Sequence, residues 1–181
     1  MESVSLESNS ILESNSILES DKYHKLYDSW TLWAHLPHDT NWDLDSYKPI
    51  YTFNSIEAIL ELYKNIPENM VKNCMLFLMR EGIVPTWEDE KNKNGGCFSY
   101  KINNKFVSNI WKKLSYNLVG GSLTKNKDLL ENINGITISP KINFCIIKIW
   151  IANCEFKNAS LIKDIDELTS QGCIFKKHIQ D

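Results

Sequence analysis

Short stretches in which apolar residues run together or alternate with polar ones recur along most of this chain. Such stretches, rich in β-branched and aromatic residues and bounded by turn-forming residues, are typical of β-strands. They occur in hairpin-like pairs, which favours antiparallel pairing. We predict strands at 30–36, 50–53, 74–79, 97–102, 136–139, 144–151 and 173–178.

Apolar residues at three- and four-residue spacing predict helices between those strands. The first spans 56–65, where Ser55 can cap the amino end. The other predicted elements are a helix at 106–119 ended by Gly120–Gly121, a short helical turn at 128–130, and a last helix from Asn158 or Ser160 through Leu168. More strands than helices, with helices between hairpins, predict an α+β fold in which helices cover one face of an antiparallel sheet.

The first 21 residues differ from the rest, because residues 7–12 read ESNSIL and residues 13–18 repeat it. The repeat is too short to be a solenoid unit, and its Ser, Asn and Glu cannot form a core. We predict a disordered acidic tail over 1–21 and one folded domain over 22–181. A weak partner-binding helix through the four Ile and Leu residues of the repeat is the alternative.

The charge of the chain is uneven. The net charge is −3, from 20 basic and 23 acidic residues. Residues 1–21 hold five of the acids and no Lys or Arg, so 22–181 carry 20 basic against 18 acidic residues. The predicted domain is therefore faintly basic, and its charge does not argue against an RNA ligand.

The five cysteines form no CxxC pair, which argues against a zinc site and predicts reduced thiols. A Cys–His catalytic pair stays open as a minor alternative. The amino terminus lacks the pattern of a signal peptide, and no stretch is apolar enough to span a membrane. We expect a cytoplasmic protein with no membrane partner, no metal and no cofactor.

Two of the six tryptophans lie in polar stretches. Trp42 lies in HDTNWDLD and Trp87 in PTWEDEKNKNGG, whereas Trp30, Trp33 and Trp111 fit the core pattern. A loop tryptophan is most often a packing anchor, but two such loops favour an aromatic clamp for a flat base, above all a cationic one. Glu88 beside Trp87 can accept two hydrogen bonds from the edge of guanine. A solvated acidic turn is the simpler alternative for Glu88.

The segment GIVPTWEDEKNKNGG (82–96) resembles the characteristic loop of the eukaryotic translation initiation factor 4E family, which binds the messenger-RNA cap. Further matches, in the family's order, are His24, WTLW (30–33), Trp42, SIEAILELYKNI (55–66), IW (110–111), NLVGG (117–121) and KIW (148–150). The resemblance covers about residues 24–175. It implies a curved antiparallel sheet of about eight strands with about three helices on its convex face.

The resemblance also implies a role for each residue of the site. Trp42 and Trp87 would stack on both faces of 7-methylguanine, and Glu88 would accept from its N1–H and amino group. Trp150 would pack against the N7-methyl group, and Lys141 would contact the cap phosphates. The methylated base is cationic, which strengthens both the stacking and the carboxylate pair. The predicted ligand is capped messenger RNA.

Other basic positions of the family are lost here, since Ile146 and Cys97 replace them. Lys148 lies two residues before Trp150, so it shares the face of Trp150 and partly replaces that charge; an ordinary solvated lysine is the alternative. We therefore expect a weaker hold on the triphosphate and a shallower salt dependence. Near the carboxyl end, Lys176, Lys177 and His178 are the remaining cations, with a frayed end as the alternative.

The partner surface that the resemblance implies is altered. A scaffold or regulatory protein would bind the convex helices, at positions occupied here by His24, Ile56, Leu60, Lys112, Lys113 and Gly120. Leu60 replaces an exposed Trp of the family, Lys112 an apolar residue and Lys113 an acid. We expect this surface to disfavour the usual basic partner motif and to prefer a different one.

The predicted function is cap binding in translation initiation. A cap-binding repressor or decoy is the alternative, because the partner surface is altered. A cap-processing enzyme is less favoured, because we find no HExxH motif or Gly-rich phosphate loop. One arginine among abundant Lys and Asn indicates an AT-rich genome, which makes a large DNA virus or a protist a plausible source.

Overall fold

The structure, a computed structural model, describes residues 23–179. These residues form one curved antiparallel sheet of seven strands in the order β2-β1-β3-β5-β6-β4-β7. The strands are β1 Lys25–His35, β2 Tyr47–Ser55, β3 Met75–Arg80, β4 Gly96–Asn103, β5 Ile133–Pro140, β6 Phe144–Ile151 and β7 Ile174–Lys177. The predicted α+β class is confirmed, with seven strands in the described part rather than about eight.

Four α-helices pack against one face of the sheet, where about three were expected. They are α1 Ile56–Asn65, α2 Glu68–Asn73, α3 Val107–Val119 and α4 Lys127–Asn132, and 3-10 turns occur at Leu44–Ser46 and Ala159–Leu161. Helix α2 is not predicted because six residues with a single buried side chain, Val71, give no periodic pattern.

Helix α1 has the bounds that the sequence predicts. Ser55 caps it, and the Ser55 side chain accepts a hydrogen bond from the Ala58 backbone N–H at 3.3 Å. Tyr63 on α1 donates to the Ser115 hydroxyl of α3 at 2.6 Å, which joins the two longest helices.

The predicted last helix through Leu168 is wrong. Asn158 does accept a hydrogen bond from the Ser160 N–H, but the turn that it caps ends at Leu161. Ile165 and Leu168 then exchange backbone hydrogen bonds across a tight turn, in which Asp166 has a φ of +48°. A left-handed residue of that kind does not continue an α-helix.

The main core lies between the sheet and the helices, which we call the helical face. Trp30 and Trp111 are buried there, as predicted. Trp33 lies on the opposite, open face and is only partly buried. A second, smaller apolar cluster lines that open face and consists of Phe77, Met79, Ile83, Cys97 and Trp150.

Arg80, the single arginine of the chain, has a structural role at the edge of the helical face. Its guanidinium pairs with Asp28 and donates to the carbonyl oxygens of Ile133 and Leu130 at 2.8 and 2.9 Å. It also lies over the Trp30 ring, 5.1 Å from the ring centroid. These contacts fix the end of α4 against β1 and β3.

The predicted acidic tail, residues 1–21, lies outside the described residues. Within 23–179, no helix is long and apolar enough to cross a membrane. The same residues contain no group of three or more His, Cys, Asp and Glu side chains placed to bind a metal ion.

Candidate functional site: the open face and its tryptophan loop

The loop between β3 and β4 is held by its own polar side chains. Asp89 accepts from the backbone N–H groups of Val84 and Lys91 at 2.9 and 2.8 Å. The Asp89 side chain therefore points into the loop. A fully solvated acidic turn, the alternative considered for this segment, does not describe Asp89.

Asn92 at the centre of the loop is completely buried. Its side-chain amide donates to the carbonyl oxygens of Val84 and Thr86 at 3.0 and 2.8 Å, and its side-chain oxygen accepts from Asn134 at 2.9 Å. Asn134 on β5 also donates to the Lys91 carbonyl at 2.7 Å. Buried amides with these bonds fix the loop to the sheet, and sequence reasoning did not single them out.

Trp87 and Glu88 project from this fixed loop into solvent. Trp87 is 50% exposed, and Glu88 is exposed without an ion-pair partner among the described residues. The neighbouring Glu90 pairs instead with Lys93 at 2.6 Å. An aromatic ring and an unpaired carboxylate are thus presented side by side.

Trp42 lies on the loop after β1 and is 59% exposed. One face of its ring stacks on His35, with ring centroids 4.2 Å apart and planes within 8°. The buried His35 side chain is held by the Asn41 carbonyl at 2.8 Å. Trp42 is therefore supported from one side and has its other ring face available.

Tyr47, the first residue of β2, lies between His35 and Phe77 on the open face. Its ring contacts His35 edge-on at 5.5 Å and Phe77 at 5.4 Å. Burial raises the pKa of Tyr47, and the negative charge of Glu88 raises it further. Glu88 is therefore within electrostatic range of Tyr47, whose ring contacts the His35 that supports Trp42. Neither His35 nor Tyr47 was predicted.

Trp150 lies in the floor beside that rim. It is 6% exposed, packs in the open-face cluster, and has His178 next to it at 4.6 Å between ring centroids. His178 is not part of a frayed end, because its Nδ1–H donates a hydrogen bond to the Asn92 carbonyl at 2.7 Å. Burial and the charge of Lys148 lower the pKa of His178, whereas the hydrogen bond to Asn92 raises it.

The two predicted phosphate lysines lie at different distances from Trp150. Lys148 follows the strand alternation and lies on the open face two residues away. Lys141 lies in the turn between β5 and β6, where its N–H donates to the Phe144 carbonyl. Phe144 is six residues before Trp150, about 20 Å along the strand.

The predicted partner surface is only partly brought together. Ile56 and Gly120 line one groove of about 730 Å³ on the helical face, with Leu26, Leu118 and Leu130 among the other lining residues. His24 lies next to it and is held by Glu57, with 2.7 Å between Nδ1 and Oε1.

The other three predicted positions lie outside that groove. Leu60, 44% exposed, lines a separate groove between α1 and β2. Lys112 extends over the Tyr116 ring at 5.8 Å. Lys113 pairs with Asp166 at 2.8 Å, so its reversed charge is already balanced within the chain.

Comparison with known proteins gives one family. The model of that family, described as eukaryotic initiation factor 4E, matches residues 25–179. A relative from Candida albicans, eukaryotic translation initiation factor 4E, is 29% identical over 164 residues, covering 85% of this chain and 76% of that protein. A homologue of this factor from Acanthamoeba polyphaga mimivirus is 33% identical over 101 residues, covering 50% of this chain and 37% of its own.

A solved structure gives the same result for the fold. The crystal structure of Ascaris suum eIF4E-3 in complex with an m2,2,7G cap has a TM-score of 0.64 and 25% identity to this chain. The match covers 74% of this chain and 76% of the Ascaris chain.

Proposed function

Because this chain belongs to the eukaryotic initiation factor 4E family, we propose that it binds the 7-methylguanosine cap of messenger RNA and acts in translation initiation. The proposed action is binding without catalysis, in the cytoplasm. Trp42 and Trp87 stack on the two faces of the methylated base, Glu88 binds its edge, and Trp150 contacts the methyl group from the floor.

One observation carries this proposal: Trp87 and Glu88 are exposed, and Glu88 has no ion-pair partner within residues 23–179, on a loop that the buried hydrogen bonds of Asn92 and Asn134 hold in place. Exposed aromatic rings cost hydration free energy unless a ligand covers them, and a fixed loop loses little conformational entropy when it binds. The nearby carboxylate and the π-faces both favour a flat cation over a neutral base. A 7-methylguanine has that charge and shape.

The proposal is tested by the affinity of the protein for 7-methylguanosine triphosphate, measured by tryptophan fluorescence or calorimetry. We expect Trp87→Ala to weaken binding by about 1–3 kcal/mol, the value of one stacking face. We expect Glu88→Gln to weaken it by a similar amount of about 1–3 kcal/mol, because an amide cannot accept both base-edge hydrogen bonds.

Glu90→Gln is the matched control. It removes the same charge only two residues after Glu88, but the Glu90 carboxylate already pairs with Lys93. It should bind the cap analogue like the unaltered protein. Unmethylated GTP should bind more weakly than the methylated analogue in every case. Equal affinities for all three variants and the unaltered protein would refute the proposal.

For the partner, we propose that a scaffold or regulatory protein of translation binds the groove lined by Ile56 and Gly120. Apart from the paired Arg80 and Asp28, the charged residues that line this largely apolar groove are Lys25, Lys127 and Glu131. The excess of positive charge favours a partner segment with apolar and acidic side chains. Because Lys113 is paired with Asp166, an acid of the partner has to displace Asp166 to reach it. A pull-down with paired peptides, one acidic and one basic outside the same apolar residues, tests this; preference for the basic peptide would contradict it.

A further inference from the structure

The groove lined by Ile56 and Gly120, which we call the partner groove, leaves apolar surface exposed. Tyr27 at its edge is 94% exposed and Ile56 is 44% exposed. Lys25 and Lys127 also line it, and both are exposed without a carboxylate in ion-pair distance in the described part of the chain. The partner groove therefore favours a segment that brings apolar side chains together with carboxylates.

The chain enters the fold at the edge of the partner groove. The Ile56 backbone N–H donates to the His24 carbonyl at 2.9 Å, and the His24 N–H donates to the Glu57 carboxylate at 3.0 Å. These two bonds fix the backbone of His24 against the amino end of α1, which carries Ile56. The next residue, Lys25, lines the groove itself. Residues 1–22 therefore join the described part of the chain beside the partner groove.

The sequence before this point contains the matching chemistry twice. SILES occurs at 10–14 and again at 16–20, so each Ile–Leu pair is followed directly by a glutamate. Residues 1–21 contain five acids and no Lys or Arg. Two apolar side chains next to a carboxylate are complementary to an apolar groove with unpaired lysines at its edge.

The neighbouring groove between α1 and β2 also lies near the chain entry but is less complementary. Its lining includes Lys25 and Lys64, and also Glu57 and Glu61. Glu61 pairs with Lys64 at 3.2 Å, and Glu57 adds a second negative charge. An acidic segment gains little charge attraction there, so the partner groove is the favoured site.

Both copies of SILES are close enough in sequence to reach the partner groove. Leu18 lies five residues before Tyr23 and Leu12 eleven, and extended chain of these lengths spans about 17 Å and about 38 Å. A short linker gives an effective concentration of about 1 mM. A segment with a dissociation constant of only about 0.2 mM would then fill the groove about five-sixths of the time.

We propose that residues 10–20 occupy the partner groove as an internal competitor of the translation partner, an inference that rests on the proposed function for the identity of that partner. The Ile–Leu pair of one copy covers Ile56 and Tyr27, and the glutamate pairs with the lysines at the edge. An external partner has to displace the segment, which lowers its apparent affinity in proportion to the fraction of free groove. The duplication provides a second copy of the competing unit.

The test uses the full chain and, as the probe, a fluorescein-labelled peptide of residues 8–21. In a tail variant of the full chain, serine replaces the four apolar residues of the repeat, which are Ile11, Leu12, Ile17 and Leu18. The peptide should bind this variant about fivefold more tightly than the unaltered chain, whose own segment competes, as measured by fluorescence anisotropy. A peptide carrying the same four serines should bind neither protein.

Matched substitutions in the tail variant locate the site. Ile56 and Leu60 lie on the same helix and are both 44% exposed, but Ile56 lines the partner groove and Leu60 the neighbouring one. Ile56→Asn should weaken peptide binding about fivefold, as expected when about half of an isoleucine side chain is no longer buried by the ligand. Leu60→Asn should leave it unchanged. Lys127→Glu should likewise weaken binding, whereas Lys64→Glu should not.

Titration of the same proteins with 7-methylguanosine triphosphate separates this inference from the function on which it rests. The unaltered chain and the tail variant should bind this cap analogue equally. If the cap analogue binds but the peptide binds both chains equally or not at all, internal docking is refuted and cap binding stands. Loss of peptide binding in Leu60→Asn but not in Ile56→Asn would also overturn the proposal. If the peptide behaves as expected but the cap analogue binds neither chain, the proposed function is refuted and the docking stands.

Discussion

Replacing Asn92 with alanine should damage both the stability of the domain and the binding of the cap, although Asn92 itself is too buried to reach a ligand. The substitution removes three side-chain hydrogen bonds, to Val84, Thr86 and Asn134. It leaves the Thr86 carbonyl oxygen and one amide hydrogen of Asn134 without these partners in a buried site, whereas the Val84 carbonyl oxygen keeps the backbone N–H of Thr86 at 2.8 Å. At about 1 kcal/mol for each net bond, the free energy of unfolding should fall by about 3 kcal/mol.

The effect on binding follows from the freedom that the loop gains. Trp87 and Glu88 are presented by backbone that Asn92 fixes, so in the variant both side chains must be ordered when the ligand binds. Ordering costs about 0.5–1.5 kcal/mol for each side chain, which predicts a loss of about 1–3 kcal/mol in cap affinity. The loss of affinity should therefore approach that of Trp87→Ala.

Two measurements check this, urea unfolding and titration with 7-methylguanosine triphosphate. Trp87→Ala should lower affinity with little change in stability, because the Trp87 ring is 50% exposed. Lys91→Ala, which alters an exposed side chain in the same loop, should change neither quantity. An Asn92→Ala protein that unfolds within about 0.5 kcal/mol of the unaltered one and binds with equal affinity would refute the reasoning.

Three further predictions concern other parts of the fold. Ser55→Ala removes the cap of α1 and should lower the free energy of unfolding by about 1 kcal/mol, measured by urea unfolding. Ser55→Asp should preserve the cap and the stability. Equal losses in the two variants would contradict the capping role. Arg80→Lys should lower stability by about 2 kcal/mol, because three separate guanidinium nitrogens contact Asp28, Ile133 and Leu130 and the single lysine nitrogen cannot reach all three. A melting temperature unchanged by the substitution would argue against it. The pKa of His178 is lowered in the fold, chiefly by burial and then by Lys148, so the unfolded chain takes up a proton first as pH falls. The contribution of His178 to the free energy of unfolding should be fully present above about pH 6.5 and decrease below it. In thermal melts between pH 5 and 8, His178→Gln should flatten that decrease. An equal decrease in both proteins would exclude His178 as its source.

Sequence patterns predicted the elements that depend on neighbouring residues. The Ser55 cap and the spacing of Ile56, Ile59 and Tyr63 gave the bounds of α1 correctly, since capping and helical periodicity are local. The loop around Trp87 was recognised because its residues are contiguous. The short α2 was missed and the helix through Leu168 was wrong, because a few residues carry too little periodicity to oppose tertiary contacts.

The sequence by itself thus determined the class of the fold, the longer helices, most strands, and the tryptophan and carboxylate candidates for the site. Only the tertiary structure decided which distant residues support and extend that site. It placed His35 under Trp42, Asn134 against Asn92, and Lys176 across from Cys97. The last two contacts join residues on strands or loops far apart in the chain, and the register of such pairs depends on the whole sheet. The physical reason is that strand alternation fixes the face of a side chain locally, whereas its neighbours across the sheet are fixed by pairing between distant segments.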